Sequence, residues 1–563
     1  MAAASLLTVA LITSACSNSS NSGNTSATTS AGSSPATSES ASSASSAESS
    51  AATSESSGSS SAATSAGPVT GSGNITLAVT DDPGNLDPSM TVLSVTRFAS
   101  SLSYDTLVNQ DPSGKFVSGL ADSWKVTATG ATFTLHKGVT CSDGTTLTAT
   151  DVKANIDFVS DAKNKSPLTG VIIPAGLTTT ADDAAGTVTI KTPTPDAFLL
   201  NQLTGLFIVC KAGLADHASL AQKTIGTGPW VLTQAVPNDH YTYTLNPNYN
   251  WAPGGGSMTG SGIPATVTLR IIANQSTTAN LLLSGEVNMA VVTGADVDRL
   301  TAAGLKTIDL TSPLGELFFN QDAGRPGADP QVRLALVTGS DMNALMKVAT
   351  NGKGTPSTGL VTSDPKPCGQ DTVTGNLPAY DVAKAKSILD ADGWVVGSDG
   401  IRTKGGKKLT FKFIYGQSGG DGLAAAAELL AEEWKALGAD VNASAVTSTQ
   451  LNTVLFSSGD WDAQWVSVNV SLPSTLVPFL SGPAPATNFA HLNNATYIAD
   501  TTKAAATSDL TAACALWNSA ETALFKNQDV TPMFNAVGSY FLKNATAVIS
   551  GGQLVGSSLR LTS

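Results

Sequence analysis

The chain has 563 residues, a net charge of -13 from 43 acidic and 30 basic side chains, and 41% hydrophobic residues. An acidic balance without a basic stripe interleaved with aromatics repels phosphate backbones and excludes nucleic acid as a partner. The length exceeds what one hydrophobic core organises, so two or more domains are expected. After the N-terminus, no apolar run reaches the roughly 20 residues a membrane-spanning helix needs.

Residues 1–15 read MAAASLLTVALITSA, a short apolar core ending in small residues directly before Cys16. This layout predicts a lipoprotein signal peptide, removed ahead of a cysteine whose thiol carries the lipid. It departs from the usual pattern at two points: no Lys or Arg precedes the core, and Thr13 takes a place normally held by Leu. Residues 16–73 are almost wholly Ser, Thr, Ala and Gly. They lack the apolar groups that would offset backbone ordering and are predicted to form a disordered linker, with an r.m.s. span on the order of 40 Å. Beyond Cys16 stand Cys141, Cys210, Cys368 and Cys514, widely spaced and without a CxxC. Four cysteines allow three pairings in an exported protein, with buried free thiols as the alternative. The four histidines, His136, His217, His240 and His491, are too dispersed for a zinc site, so no metal and no cofactor is expected.

Folding is predicted to begin near Asn74, with a strand over 75–79, a turn through Asp82-Pro83-Gly84 to Pro88, and a helix over 91–103. Asp111-Pro112-Ser113-Gly114 closes a hairpin, because Pro presets φ and Gly accepts the positive φ the turn requires. Trp124-Lys125-Val126 and Ala131 to Leu135 alternate around Gly130, and a helix opens at Thr150-Asp151-Val152. Thr187 to Ile190 is another strand. In Ile225-Gly226-Thr227-Gly228-Pro229-Trp230 no third Gly and no following helix complete a phosphate loop, so the stretch reads as a backbone turn between domains. Strands are expected over 266–272 and 317–320, and helices over 277–287 and from Asp329-Pro330, with Pro in the first turn. Arg333 reads as a structural ion-pair partner in preference to a ligand clamp. A further helix follows Tyr380-Asp381 and ends at Gly393-Trp394. Strands over 409–415, 441–446 and 461–468 alternate with helices over 422–437 and 449–457, which predicts a parallel sheet sandwiched by helices. The tail from 530 to 563 reads as strands.

The frame Tyr104-x-x-Leu107, Asp111-x-x-Gly114, Gly119-Leu120-Ala121-x-Ser123-Trp124, Phe133-x-Leu135-x-x-Gly138-Val139 and Asp143-Gly144-x-x-Leu147-Thr148-Ala149-x-Asp151-Val152 resembles the signature region of the family 5 solute-binding proteins. These are the dipeptide, oligopeptide and nickel receptors of ABC importers. Leu86-Asp87-Pro88, Gly226-Thr227-Gly228-Pro229, Gly285-Glu286-Val287 (with Asn288 where Asp is usual) and Asp329-Pro330-x-Val332-Arg333-x-Ala335-Leu336 extend the likeness. It implies an α/β fold of the periplasmic-binding-protein type II class, in the large two-lobed form with an extra inserted subdomain. Lobe I would comprise 74–115, 225–312 and 530–563, the subdomain 116–224 and lobe II 313–529, with a hinge near Pro313 and Val530.

The resemblance further implies a non-enzymatic, monomeric receptor that closes on a small solute, foremost a peptide, and delivers it to the transmembrane subunits of an ABC permease. Lipid on Cys16 would hold it at the outer face of the cell membrane, in the periplasmic space or on the cell-wall side. The expected ligand set is Asp87, Ser89, Met90 and Thr91 at the mouth of the cleft, with Asn320, Trp465 and Asn469. Peptide-binding relatives place a carboxylate after the Trp-containing strand to pair with a peptide's amino terminus, where this chain has Asn469. An amide cannot neutralise an ammonium, so an oligosaccharide or a blocked peptide gains weight; Trp465 would stack on either, or equally belong to the core.

Two other readings compete. A sensor or adhesin on the same fold would bind solute without a permease. Gly416-Gln417-Ser418-Gly419-Gly420 also fits the G-x-S-x-G elbow of a serine hydrolase, with Asp460 or Asp462 and then His491 following in the order that chemistry uses.

Overall fold

Two mixed sheets organise the computed structural model, which describes residues 69–562 apart from residues 171, 256–257, 294–295, 363, 418–419, 468–469 and 485–486. The expected signal peptide, Cys16 and nearly all of the linker lie outside the described residues, as do Ser418 and Asn469. In the first sheet, the strand Asn74–Val79 runs parallel to Thr266–Ile271 on one side and Met289–Val292 on the other. His240–Leu245 and Trp230–Val236 extend it antiparallel beyond the first neighbour, and Phe534–Leu542 and Lys306–Pro313 beyond the second. Successive side chains alternate across the pleat, so Ile75 and Leu77 enter one buried cluster and Ala78 the opposite one. Asn288 shows why an amide suits its position: its Oδ1 accepts from the Thr76 amide at 2.8 Å and its Nδ2 donates to the Lys543 carbonyl at 3.0 Å. A carboxylate could not do the second.

Beside this sheet stands an antiparallel one, in the order Ala121–Thr127, Gly130–Leu135, Thr187–Lys191, Thr178–Asp182, partnered by the helix Ala149–Ser160. That helix begins slightly ahead of the expected Thr150. Thr148 is its N-cap and forms a reciprocal capping box with Asp151, which satisfies two otherwise orphaned backbone donors. Ile75, Leu107, Phe133, Val152, Ile190 and Trp230 belong to one buried cluster. The 116–224 region therefore shares the first lobe's core instead of enclosing its own.

The second sheet is ordered Asp440–Val446, Thr410–Gly416, Ala463–Val466, Glu316–Phe319, Val530–Pro532. Its first three strands are parallel, as alternating strands and helices require, but Glu316–Phe319 runs antiparallel to both neighbours. The chain enters this lobe along Glu316–Phe319 and leaves along the adjacent Val530–Pro532, so these two must run in opposite directions. Leu317, Phe319, Phe411 and Phe413 pack with Trp434 of the helix Gly420–Ala436 on one face, and Phe318 and Ile414 with Leu524 and Phe525 of Leu510–Lys526 on the other. Arg333 forms the expected ion pair, 3.3 Å from Asp529 with both side chains buried. The cysteines pair as Cys141–Cys210 and Cys368–Cys514.

The lobes are joined by an unbroken ribbon. Lys306–Pro313 continues into Glu316–Phe319, and Val530–Pro532 into Phe534–Leu542. Between the sheets, the Leu314 amide donates to the Phe534 carbonyl at 2.9 Å and the Met533 amide to the Gly315 carbonyl at 3.0 Å. Leu314–Gly315 and Met533 thus link the strands of one sheet to those of the other. Gly315 has φ +106°, and a Cβ there would sit 2.5 Å from the Val466 carbonyl oxygen, so only glycine fits. Gly354–Pro356, inside the interval expected for the second lobe, pairs with Phe534–Leu542 in the first lobe's sheet.

Candidate functional site

The helix Ser94–Ser103 buries Arg97, Phe98, Ser101 and Leu102. It starts three residues later than expected, because Leu93 is extended and the Thr91 hydroxyl accepts from the Leu93 amide at 3.0 Å. Its C-terminal end is gripped by the 225–229 turn. A Cβ on Gly228 would lie 2.4 Å from the Ser103 carbonyl carbon, and the Gly228 amide donates to the Ser103 carbonyl at 2.9 Å. The glycines of this turn are therefore a close-approach device, which brings the Thr227 hydroxyl to Asp105 at 2.8 Å.

Where that helix faces the second lobe there is a cavity of about 280 Å³. Arg97, Tyr104 and Asp105 supply one wall, Asn201, Gln202 and Phe207 a second, and Gln553 lies at its edge. Asp364, Pro365 and Leu472 close it from the second lobe. Near this contact, Phe198 packs against Trp517, ring centroids 6.2 Å apart, in a buried cluster with Leu472, Ala504 and Ala513.

The charges in the cavity wall are held differently. Asp105 is buried and accepts from Tyr249 Oη at 2.9 Å, Trp251 Nε1 at 3.0 Å and the Thr227 hydroxyl. Burial raises its pKa, and these three donors offset part of the rise. Arg97 is 6% exposed. Its Nη2 donates to the Gly205 carbonyl at 2.6 Å, and its guanidinium carbon stands 5.0 Å from the centroid of the Phe207 ring. Its Nη1 is buried with no hydrogen-bond partner among the described residues. Burial lowers its pKa to about 10, which leaves it a cation at neutral pH. Asn201 Oδ1, Gln202 Oε1 and Gln553 Oε1 are likewise buried without partners.

The residues singled out from the sequence are placed elsewhere. Asp87 is buried, with Oδ2 2.7 Å from His217 Nδ1 and Oδ1 accepting from the Ser89 amide at 2.9 Å. His217 stacks on Phe158 at 3.7 Å. Ser89 and Thr91 are buried and Met90 partly so, and none of these four lines the cavity. The late helix start leaves their turn packed against the His217–Ala221 turn and Ser166, whose hydroxyl donates to the Ser89 carbonyl at 2.6 Å. Asn320 is a strand-end clip, donating to the Trp461 carbonyl at 3.0 Å and accepting from the Asp322 amide at 3.0 Å. Trp465 is fully buried, its ring edge-on to Phe534 at 5.4 Å and its indole N–H donating to the Leu314 carbonyl at 2.7 Å. It braces the Leu314 crossing and does not line the cavity.

Of the hydrolase candidates, Asp460 is held by Lys412 at 2.6 Å, Asp462 by Arg325 at 3.0 Å, and His491 faces Asp322 at 3.7 Å. Neither proposed acid partners that histidine. Arg97 was the readable signal overlooked, since it is the sole charge in SVTRFASSLS. Asn201, Gln202 and Gln553 carry no pattern that separates them from other surface amides.

A family model described as bacterial extracellular solute-binding proteins, family 5 middle, matches residues 115–520. The chain belongs to this family. This family 5 protein is 27% identical over 339 residues to the glutathione-binding protein GsiB of Pectobacterium atrosepticum, covering 59% of the chain and 63% of GsiB. The match thus spans less than two thirds of that relative's length. A substrate-binding protein from Microbacterium hydrocarbonoxydans, solved with 4-hydroxybenzoate hydrazide, superposes with a TM-score of 0.65 at 26% identity, covering 87% of this chain and 100% of that one. The ABC transporter substrate-binding protein CtaP of Listeria monocytogenes gives a TM-score of 0.74 at 20% identity, covering 88% and 100%. The fold is that of the type II periplasmic binding proteins, and the family is a solute-binding class of ABC importers.

Proposed function

We propose that this family 5 protein is the extracytoplasmic receptor of an ABC importer, a monomer that traps a small solute of the peptide class by lobe closure and presents it unchanged to a membrane permease. The observation that carries this reading is a cavity lined from both lobes, which a two-stranded crossing joins. The two lobes can separate to admit a solute without breaking either core, because each sheet keeps its own buried clusters. The glutathione-binding relative supports a peptide-like ligand. A lipid on Cys16, after removal of residues 1–15, would hold the receptor at the outer membrane face, with residues 16–73 as its tether. Lobe boundaries at Leu314–Gly315 and Met533 complete the proposal.

The test is a thermal-shift screen of the full chain against peptides, oligosaccharides and metal chelates, followed by solution scattering with any hit. A ligand at 100 times its dissociation constant adds about 2.7 kcal/mol, and closure should shrink the radius of gyration. A particle indifferent to the whole panel, or one that cleaves the compound it binds, would refute the proposal.

A further inference from the structure

Among the described residues three arginines are buried: Arg97, Arg333 and Arg402. Two have a carboxylate, since Arg333 pairs with Asp529 and Arg402 with Asp390. Among the described residues Arg97 has the Gly205 carbonyl and the face of Phe207, and its Nη1 has no hydrogen-bond partner there. Burying a guanidinium without a counter-charge is costly, and proteins accept the cost where an ion or ligand supplies the missing charge. Arg97 borders the cavity between the lobes. Two carboxylates line the same cavity and neither pairs with it: the oxygens of Asp105 are occupied by Tyr249, Trp251 and Thr227, and Asp364, on the second lobe, is exposed and forms no ion pair with Arg97. The approach is also built: a Cβ on Gly205 would lie 2.7 Å from Ile172 Cγ2 and 3.7 Å from Arg97 Nη2, so glycine lets the backbone carbonyl fix one edge of the guanidinium and leaves the other edge over. Asn201, Gln202 and Gln553 line the same cavity, and each has a buried amide oxygen without a hydrogen-bond partner among the described residues, which asks for an N–H or O–H donor.

Resting on the receptor reading, we infer that Arg97 is the anion anchor of the ligand site, and that the solute carries a carboxylate at one end with hydrogen-bond donors along its length. A neutral oligosaccharide satisfies the amide oxygens but leaves Arg97 unpaired, whereas an acid with amide or hydroxyl groups satisfies both. A guanidinium takes a carboxylate through two parallel hydrogen bonds, so Arg97 would read the shape of the anion as well as its charge.

The test uses acid and neutral twins with the full chain: glutathione and its diethyl ester, an Ala-Leu dipeptide and its C-terminal amide, 4-hydroxybenzoate and its hydrazide. Binding is measured by calorimetry for the native chain, Arg97→Gln and Arg97→Lys. At least one acid should bind about 30-fold or more tightly than its twin, the order expected when a buried charge-assisted bond is lost. Arg97→Gln should erase that preference and Arg97→Lys should restore part of it. Ligand-free Arg97→Gln should melt no lower than the native chain, which separates an anchor waiting for its ligand from a structural arginine. Equal affinities within every twin pair that binds would overturn the anchor and leave the receptor reading standing. No binding by any compound would overturn both.

Discussion

The contact between Phe198 and the second lobe should set how readily the cleft opens. Phe198 is 3% exposed, and its buried companions Leu472, Ala504, Ala513 and Trp517 all belong to the second lobe. A phenylalanine buries roughly 200 Å². If about half of that faces across the cleft, Phe198→Ala exposes ~100 Å² and removes about 2.5 kcal/mol from the closed form. The ratio of closed to open molecules should then fall about 60-fold. Small-angle scattering of the ligand-free chain should report a larger radius of gyration. A ligand that binds only the closed form should weaken in proportion to the closed fraction lost, while Phe198→Leu should lie between. Unchanged scattering together with an affinity within twofold of the native value would show that this cluster is not what holds the lobes shut.

Three further outcomes follow from the packing. Asp529→Ala strands the Arg333 guanidinium and removes the acceptor used by Gln321, Asn494 and Asn527. It should cost about 3–5 kcal/mol in urea unfolding, and a loss below 1 kcal/mol would contradict the reading of Asp529 as the hub of that network. Cys368 and Cys514 lie 146 residues apart, so replacing both with serine should cost about 5 kcal/mol through the freed loop; an unchanged melting temperature under non-reducing conditions would count against it. Burial, reinforced by the charge of Asp341, raises the pKa of Glu433 to about 7. The folded state then holds a proton that the unfolded chain releases near pH 4.5, so this residue's contribution to stability falls as pH rises from about 4.5 to about 7 and is level above that. Glu433→Gln should flatten that slope in melts taken from pH 4.5 to 8, and an identical slope would show that the carboxyl titrates normally.

Much of the fold was legible because punctuation and periodicity agree. Asp329-Pro330 and Asp381 cap the helices they announced, and Gly130 turns the strands flanking it. The direction of Glu316–Phe319 was not legible, since four apolar residues say that a strand is buried but not which way its neighbours run. The site was harder. Trp465 looked like a stacking surface because a strand-borne tryptophan is equally suited to a cleft or a core, and only the tertiary pairing puts its indole on Leu314. Asp87 and Ser89 drew attention as polar residues in a turn, yet a distant histidine claims the aspartate. Arg97 depends on an absence, the carboxylate that never arrives, and a linear sequence cannot display that.

The paired crossing at Leu314–Gly315 and Met533 also has a mechanical consequence. Two strands bonded edge to edge resist sliding past one another but flex easily out of their common plane, so the ribbon behaves as a leaf spring with one soft direction. Every swing then returns the second lobe along the same arc and brings Pro365 and Leu472 back to the same place against the cavity.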